Sequence, residues 1–144
     1  MDTLEYIAQR YNLDLNQKRL PIEIPNVNRV SLAQLFKELE FKVGVEVGTE
    51  RGLYAETLCQ SNPELELYCV DAWKAYRGYR DHVSQEKLDQ FFGAAQVRLA
   101  PYNAKLVRAF SMDAVKEFPP NSLDFVYIDA NHELRQVIDD ISEW

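Results

Sequence analysis

Four residues in the first half of the chain have the types and the spacing to hold a small ligand: Glu46, Gly48, Gly52 and, nineteen residues after the second glycine, Asp71. Glycines in a tight turn let the backbone approach a ligand closely, and an acid at the tip of the following strand can accept hydrogen bonds from both hydroxyls of a ribose. Together they point to a nucleoside-containing cofactor. Further along, Asp129 and His132 follow an apolar run. An imidazole titrates near neutrality and can take a proton from a reacting group, and the acid beside it is the second candidate group. The remaining histidine, His82, follows Asp81 and reads as a surface residue.

Those groups work only if the chain places them. Val43, Val45 and Val47 form a short apolar run that enters the turn Gly48-Thr49-Glu50-Arg51-Gly52, and helical spacing starts at once with Leu53, Ala55, Leu58 and Cys59. Leu65, Leu67, Tyr68, Cys69 and Val70 form a second apolar run that ends in Asp71. The unit is strand, turn, helix, strand, with a carboxylate at the tip of the second strand. A dinucleotide site wants G-x-G-x-x-G, because the second glycine lets a pyrophosphate sit on the helix N-terminus. Glu50 occupies that middle position, and its carboxylate would repel a pyrophosphate. NAD is disfavoured.

Around this unit the pattern predicts a helix over residues 2–12 and an extended segment held by Pro21 and Pro25. A second helix follows, capped by Ser31 in a Ser-x-x-Gln box with Leu32, Leu35, Phe36 and Leu39 on one face. Ser84 opens another helix, with Leu88, Phe91, Phe92, Ala95 and Leu99 on one side and Pro101 beyond it. Residues 104–110 read as a third strand, Ser111 as the start of a short helix broken at Pro119-Pro120-Asn121, and residues 123–128 as a fourth strand. A last helix, capped by Asp129 or Asn131 with His132 on its first turn, carries Leu134, Val137, Ile138 and Ile141 on one face. That face is expected to lie on a sheet.

The bulk properties exclude several classes. A net charge of −7 argues against a protein that grips nucleic-acid backbones. No run approaches the roughly 20 apolar residues of a membrane helix, and the N-terminus MDTLEYIAQRY lacks a signal-peptide core, so a cytoplasmic address is expected. Cys59 and Cys69 read as free core thiols. Lys74, Arg77 and Arg80 alternate with Trp73, Tyr76 and Tyr79 in a basic aromatic patch, either a loop packed on the sheet edge or a lid over a ligand.

Glu46-x-Gly48-x-x-x-Gly52 with Asp71 downstream, followed by the phrase SLDFVYIDANHELRQVIDDISEW, resembles class I S-adenosylmethionine-dependent methyltransferases, and within them a small-molecule O-methyltransferase branch. The resemblance covers roughly residues 26–144, and many members have a glycine where this chain has Glu50. It implies a three-layer αβα Rossmann-like fold with a mostly parallel sheet, about four strands being present in the order 3-2-1-4. One domain is expected over 1–144, with N-terminal helices and an extended segment in 1–40 and a cofactor-binding βαβ core in 41–144.

By the same resemblance, S-adenosylmethionine is held by Gly48, Thr49, Gly52, Asp71, Ala72 and Trp73. Glu46 takes the methionine ammonium or backbone amides, and Ser111 and Met112 lie beside the adenine unless they are merely a helix cap and a core residue. Asp129 and His132 meet a small-molecule acceptor, expected to present a hydroxyl. No metal site is expected, since Asp129 lacks the further acids that metal-dependent relatives supply from later strands. The family's fifth strand, next helix and terminal hairpin are not in this sequence. The expectation is therefore a truncated form, or a small variant that dimerises through a bare fourth-strand edge of Leu123, Phe125, Val126 and Ile128. Two alternatives stand beside methyl transfer: a module that binds the cofactor without catalysis, and a nucleotide-dependent oxidoreductase on a similar sheet.

Overall fold

The computed structural model describes residues 2–76 and 83–144. Four parallel strands, β1 (Val43–Val47), β2 (Glu66–Asp71), β3 (Ala104–Arg108) and β4 (Phe125–Ile128), form one sheet in the order β3-β2-β1-β4. The helices are α1 (Thr3–Tyr11), α2 (Arg29–Glu38), α3 (Leu53–Ser61), α4 (Gln85–Leu99), α5 (Ser111–Ala114) and α6 (Leu134–Glu143), with a 3-10 turn at Val115–Glu117. This is the Rossmann-like α/β arrangement expected from the sequence.

Central β1 is buried along nearly its whole length, as a parallel strand covered on both faces must be. Leu67 and Cys69 point to one face, where they meet Ala55, Leu58 and Cys59 of α3, Leu99 of α4 and Phe125. Phe36 of α2 stacks on Phe125 at 4.2 Å on the same side. Val45, Val47 and Val70 point to the other face and pack with Ala114, Phe118 and Trp144. Burying a side chain such as Leu58 contributes about 1.5–3 kcal/mol, so these two layers hold the sheet. Cys59 and Cys69 are both free and buried within the first layer, as expected.

Register decides where chemistry can occur. Val47 pairs with Val70 on one side and with Ile128 on the other, so the chain leaves three neighbouring strands at one level, at Gly48, Asp71 and Asp129. Because β1 lies between β2 and β4, this edge is the point where the strand order reverses, the usual crevice for ligands in open α/β sheets.

Several local expectations need correction. The cap of α2 is Asn28, whose side chain accepts from the amides of Val30 and Ser31, while the Ser31 hydroxyl accepts from the Asn28 amide. Ser31 is thus the inner half of the capping box, because an asparagine three residues earlier is as good a cap. The proline segment is not uniformly extended, since it turns at Pro25–Asn26, where Asn26 has φ 61°. Strand β3 stops at Arg108 and β4 starts only at Phe125.

Helix α6 departs most. It starts at Leu134, after Glu133, which makes no side-chain cap bond; Asn131 instead accepts from the Glu133 amide, two residues too early to cap. Its apolar stripe is not covered by the sheet: Leu134, Ile138 and Ile141 are 76%, 52% and 68% exposed. The helix docks by its other side. Buried Asp140 accepts from the Ser111 hydroxyl, and Trp144 donates to Ser111 at 2.7 Å and packs on Phe118. The expected bare apolar edge on β4 is also corrected. Phe125 is buried and Leu123, Val126 and Ile128 are half-buried, so the open feature of that edge is its backbone.

Candidate cofactor site

At the exit of β1 the Gly48 amide donates to the Val70 carbonyl at 2.8 Å, and the Asp129 amide donates to the Val47 carbonyl at 2.8 Å. The turn is therefore threaded between the tips of β2 and β4. Gly48 has φ 96°, and a Cβ there would fall on the Asp129 carbonyl, so both conformation and space demand glycine. Glu50, in the middle of the turn, keeps a left-handed backbone at φ 50° and turns its carboxylate outward to Arg51 at 3.0 Å. Gly52, at φ 75°, opens α3 without a side-chain cap.

Asp71 stands at the tip of β2 with both oxygens engaged. The Glu50 amide donates to Oδ2 and the Trp73 amide to Oδ1, each at 2.9 Å. The carboxyl thereby ties the glycine turn to the end of β2. Burial raises its pKa, and the amides of Trp73 and Glu50 pull the other way. Each oxygen keeps a lone pair for a further donor. Trp73 is a buried strut: its indole donates to the Glu50 carbonyl at 2.8 Å and its ring packs on Phe92.

Glu46, one strand over, has the opposite surroundings. It is 2% exposed, yet its Oε2 and the Thr49 hydroxyl beside it make no hydrogen bond. Burial pushes the Glu46 pKa up to about 8, with the like charges of Asp129 and Asp71 adding to the rise and Arg29 opposing it.

Across the cleft, Asp129 is held by Arg29 of α2 through a 2.6 Å ion pair, and the guanidinium also lies over the Tyr54 ring at 5.4 Å. His132 is exposed, and among the described residues no hydrogen bond joins it to Asp129, so the two candidate proton acceptors share the cleft without forming a dyad. Ser111 is no helix cap: Phe110 holds that position, and the Ser111 hydroxyl spends its one proton on Asp140. Met112 lines the cleft half-buried, as does Ala72. Of the basic aromatic patch, Lys74 and Tyr76 line the cleft, and the Tyr76 hydroxyl accepts from Asn131 at 2.7 Å. Arg77, Tyr79, Arg80, Asp81 and His82 lie outside the described residues.

These groups surround one cleft of about 720 Å³, a size suited to a small molecule. Residues 45–144 match the family model described as "Methyltransferase domain". The chain belongs to the methyltransferase-domain family. No curated protein matches the sequence. Among solved structures, the O-methyltransferase TomG from Streptomyces achromogenes, involved in tomaymycin synthesis and crystallised with SAM, aligns over 99% of this chain and 60% of its own. Its TM-score is 0.58 at 18% identity. The O-methyltransferase from Bacillus cereus, crystallised with SAH, aligns over 98% of this chain and 60% of its own, with a TM-score of 0.58 at 16% identity. At these identities the likeness is one of fold, and this chain spans about 60% of the length of either structure.

In this methyltransferase-domain chain, three residues of the cleft escaped the sequence reading. Arg29 precedes the core and reaches Asp129 across a hundred positions of sequence. Tyr54 donates to the Arg29 carbonyl at 3.1 Å. Asp140 is an acid on a helix side that periodicity marks as polar, and only its burial against Ser111 gives it away. No local signal could have found Arg29 or Asp140. Tyr54, on the buried side of α3, was open to recognition as a polar group needing a partner.

Proposed function

We propose that this cleft binds S-adenosylmethionine and that the chain carries the cofactor-binding part of a methyltransferase acting on a small-molecule acceptor, at a hydroxyl oxygen. One observation carries the reading: Asp71, oriented by two backbone amides, stands beside a glycine turn whose middle residue is Glu50, with the orphaned Glu46 one strand away. A ribose suits the first, close backbone approach the second and a cationic tail the third. The two solved O-methyltransferases named above, with SAM and SAH in them, support the choice of cofactor.

When bound, this cofactor supplies a methyl group already activated by its sulfonium. The protein's own tasks are then to hold, orient and deprotonate. Asp71 would accept from the ribose hydroxyls, and Gly48, Thr49 and Gly52 would line the approach to the tail, with Ala72 and Trp73 alongside. Met112 would flank the adenine. Ser111, its proton committed to Asp140, would offer only an acceptor lone pair there. His132 or Asp129 would take the acceptor's proton, Asp129 only while sharing its charge with Arg29. Residues 41–144 would form the cofactor-binding core, with 1–40 leaning over it through Arg29, and the open edge of β4 would pair with a second copy. Among the described residues no helix is long and apolar enough to cross a membrane.

A binding module without turnover is the second reading, favoured by the missing contact between Asp129 and His132. Calorimetric titration with S-adenosylhomocysteine, with NAD as the comparison ligand, tests the cofactor class. Binding of the former alone is expected, and binding of NAD instead would return the oxidoreductase alternative.

A further inference from the structure

We propose that the Tyr76 side chain is a latch over the cleft: bonded to Asn131, it spans the tip of β1 and must swing aside before a ligand seated there can enter or leave. The inference goes beyond the cofactor reading, on which it rests only for the ligand used in its test.

Topology places the bond across the site. Tyr76 follows β2 and Asn131 follows β4, and β1 runs between those two strands. Neighbouring strands lie about 4.8 Å apart, so a link from the β2 side to the β4 side bridges roughly 10 Å across the end of β1. Asn131 Nδ2 donates to the Tyr76 hydroxyl at 2.7 Å in a half-buried position, over 55 residues of sequence. Both residues line the cleft together with Gly48 and Asp71. The Tyr76 ring also meets Phe110, which follows β3, edge to face at 5.6 Å and 77°. One side chain thereby joins the ends of β2, β3 and β4 over the crevice.

Both ends of the link are prepared for it. Asn131 Oδ1 accepts from the Glu133 amide at 2.8 Å, which turns Nδ2 the other way, towards Tyr76. Asn131, a candidate cap by sequence, thus serves as the anchor. On the β2 side the backbone is fixed up to the residue before the latch. Gln85 donates to the Trp73 carbonyl at 2.9 Å and accepts from the Ala75 amide at 3.0 Å, and Arg108 donates to the same carbonyl at 3.0 Å.

Opening is therefore a rotamer change of Tyr76 on a fixed base. It breaks the hydrogen bond to Asn131 and the ring contact with Phe110, and it leaves the ties of Asp71 and Trp73 to the glycine turn intact. The latch closes again over a bound ligand. Because the bond stands both before and after binding, removing it should speed entry and exit alike and leave affinity nearly unchanged. A neutral hydrogen bond is worth roughly threefold to tenfold in such a rate.

The test is stopped-flow binding of S-adenosylhomocysteine, followed by tryptophan fluorescence, to the wild-type chain, Tyr76→Phe and Asn131→Ala. Tyr76→Phe deletes the hydroxyl and keeps both the ring against Phe110 and the contact between Asn131 and Glu133. In either variant the association and dissociation rates should both rise roughly threefold to tenfold, with the dissociation constant within about twofold of wild type. A change confined to one of the two rates, or in neither, would overturn the latch and leave the cofactor reading standing. No binding to any of the three chains would overturn the cofactor reading, and the latch is then decided without ligand. In nitrogen-15 spectra the Asn131 side-chain amide should resonate away from the position of a solvated asparagine and move towards it in Tyr76→Phe. A wild-type signal already at that position, unmoved by the substitution, would overturn the latch.

Discussion

The two sides of the cleft are built in contrasting ways. On the β1–α3–β2 side the chain ties itself together over short sequence distances: Asp71 takes the amides of Glu50 and Trp73, Trp73 donates to Glu50, and Gly48 donates to Val70. On the β4–α6 side the contacts are remote and sparse. Asp129 depends on Arg29, Asp140 depends on Ser111, and an apolar stripe on α6 faces outward. The first side is a closely tied frame with one gap at Glu46, and the second is the more sparsely tied wall where an acceptor would enter. Rigid support for binding and looser support for the variable partner is how loops on a common scaffold acquire different substrates.

The largest effect expected is on the frame. Gly48→Ala forces a side chain into a left-handed position and against the Asp129 carbonyl, so stability should fall by about 3–5 kcal/mol in urea denaturation. A near-neutral result would mean that the turn can move, and the contrast with the other wall would collapse.

Next comes the gap in the frame. Glu46 holds its proton to about pH 8 when folded but loses it in the usual carboxylate range when unfolded. The folded state therefore binds more protons across that window, and stability falls as pH rises from about 4.5 towards 8. Removing the titration should reverse this: ligand-free Glu46→Gln should be more stable at pH 7 by on the order of 3 kcal/mol. The gain should disappear by pH 4. A pH-independent difference, read from thermal melts at several pH values, would show that the cause is packing and not ionisation.

Asp71→Ala should weaken S-adenosylhomocysteine binding by about 1.5–3 kcal/mol and also lower stability, because the amides of Glu50 and Trp73 lose their acceptor. Unchanged affinity in calorimetry would remove Asp71 from the ribose.

On the looser wall the effects should be small. Arg29→Ala breaks a largely exposed ion pair and should cost under about 1 kcal/mol in the same denaturation assay. Ile138→Lys, on the outward stripe of α6, should change the stability of the isolated chain by less than about 0.5 kcal/mol. A loss of several kcal/mol there would mean that the stripe is covered in solution, by a second copy in particular, and light scattering would then show a dimer lost on substitution.

The same contrast explains what could be read from the sequence. Strand, glycine turn, helix and acid follow one another within thirty residues, and each leaves a local mark: alternation, glycine at positive φ, helical spacing, a charge at a strand tip. The strand–turn–helix–strand unit was therefore legible, while the strand order came from the resemblance to class I methyltransferases. The sequence pointed to Ser31 as the cap because its box spelling is complete, while Asn28 offers the same chemistry one turn earlier. The α6 stripe pointed to the wrong side because periodicity reveals an apolar face but not what lies against it. The helix is held here by Asp140 and Trp144, through partners more than two dozen residues away. Arg29 was invisible for the same reason.

The central claim, that the tips of β1 and β2 receive the nucleoside of an S-adenosyl ligand, is tested most directly by titrating the nitrogen-15-labelled chain with S-adenosylhomocysteine and following its amide resonances. The backbone amides of Glu50 and Trp73, which donate to Asp71, and that of Gly48 should shift most and saturate together. Saturable shifts confined to other parts of the molecule, or no shifts at millimolar ligand, would contradict it.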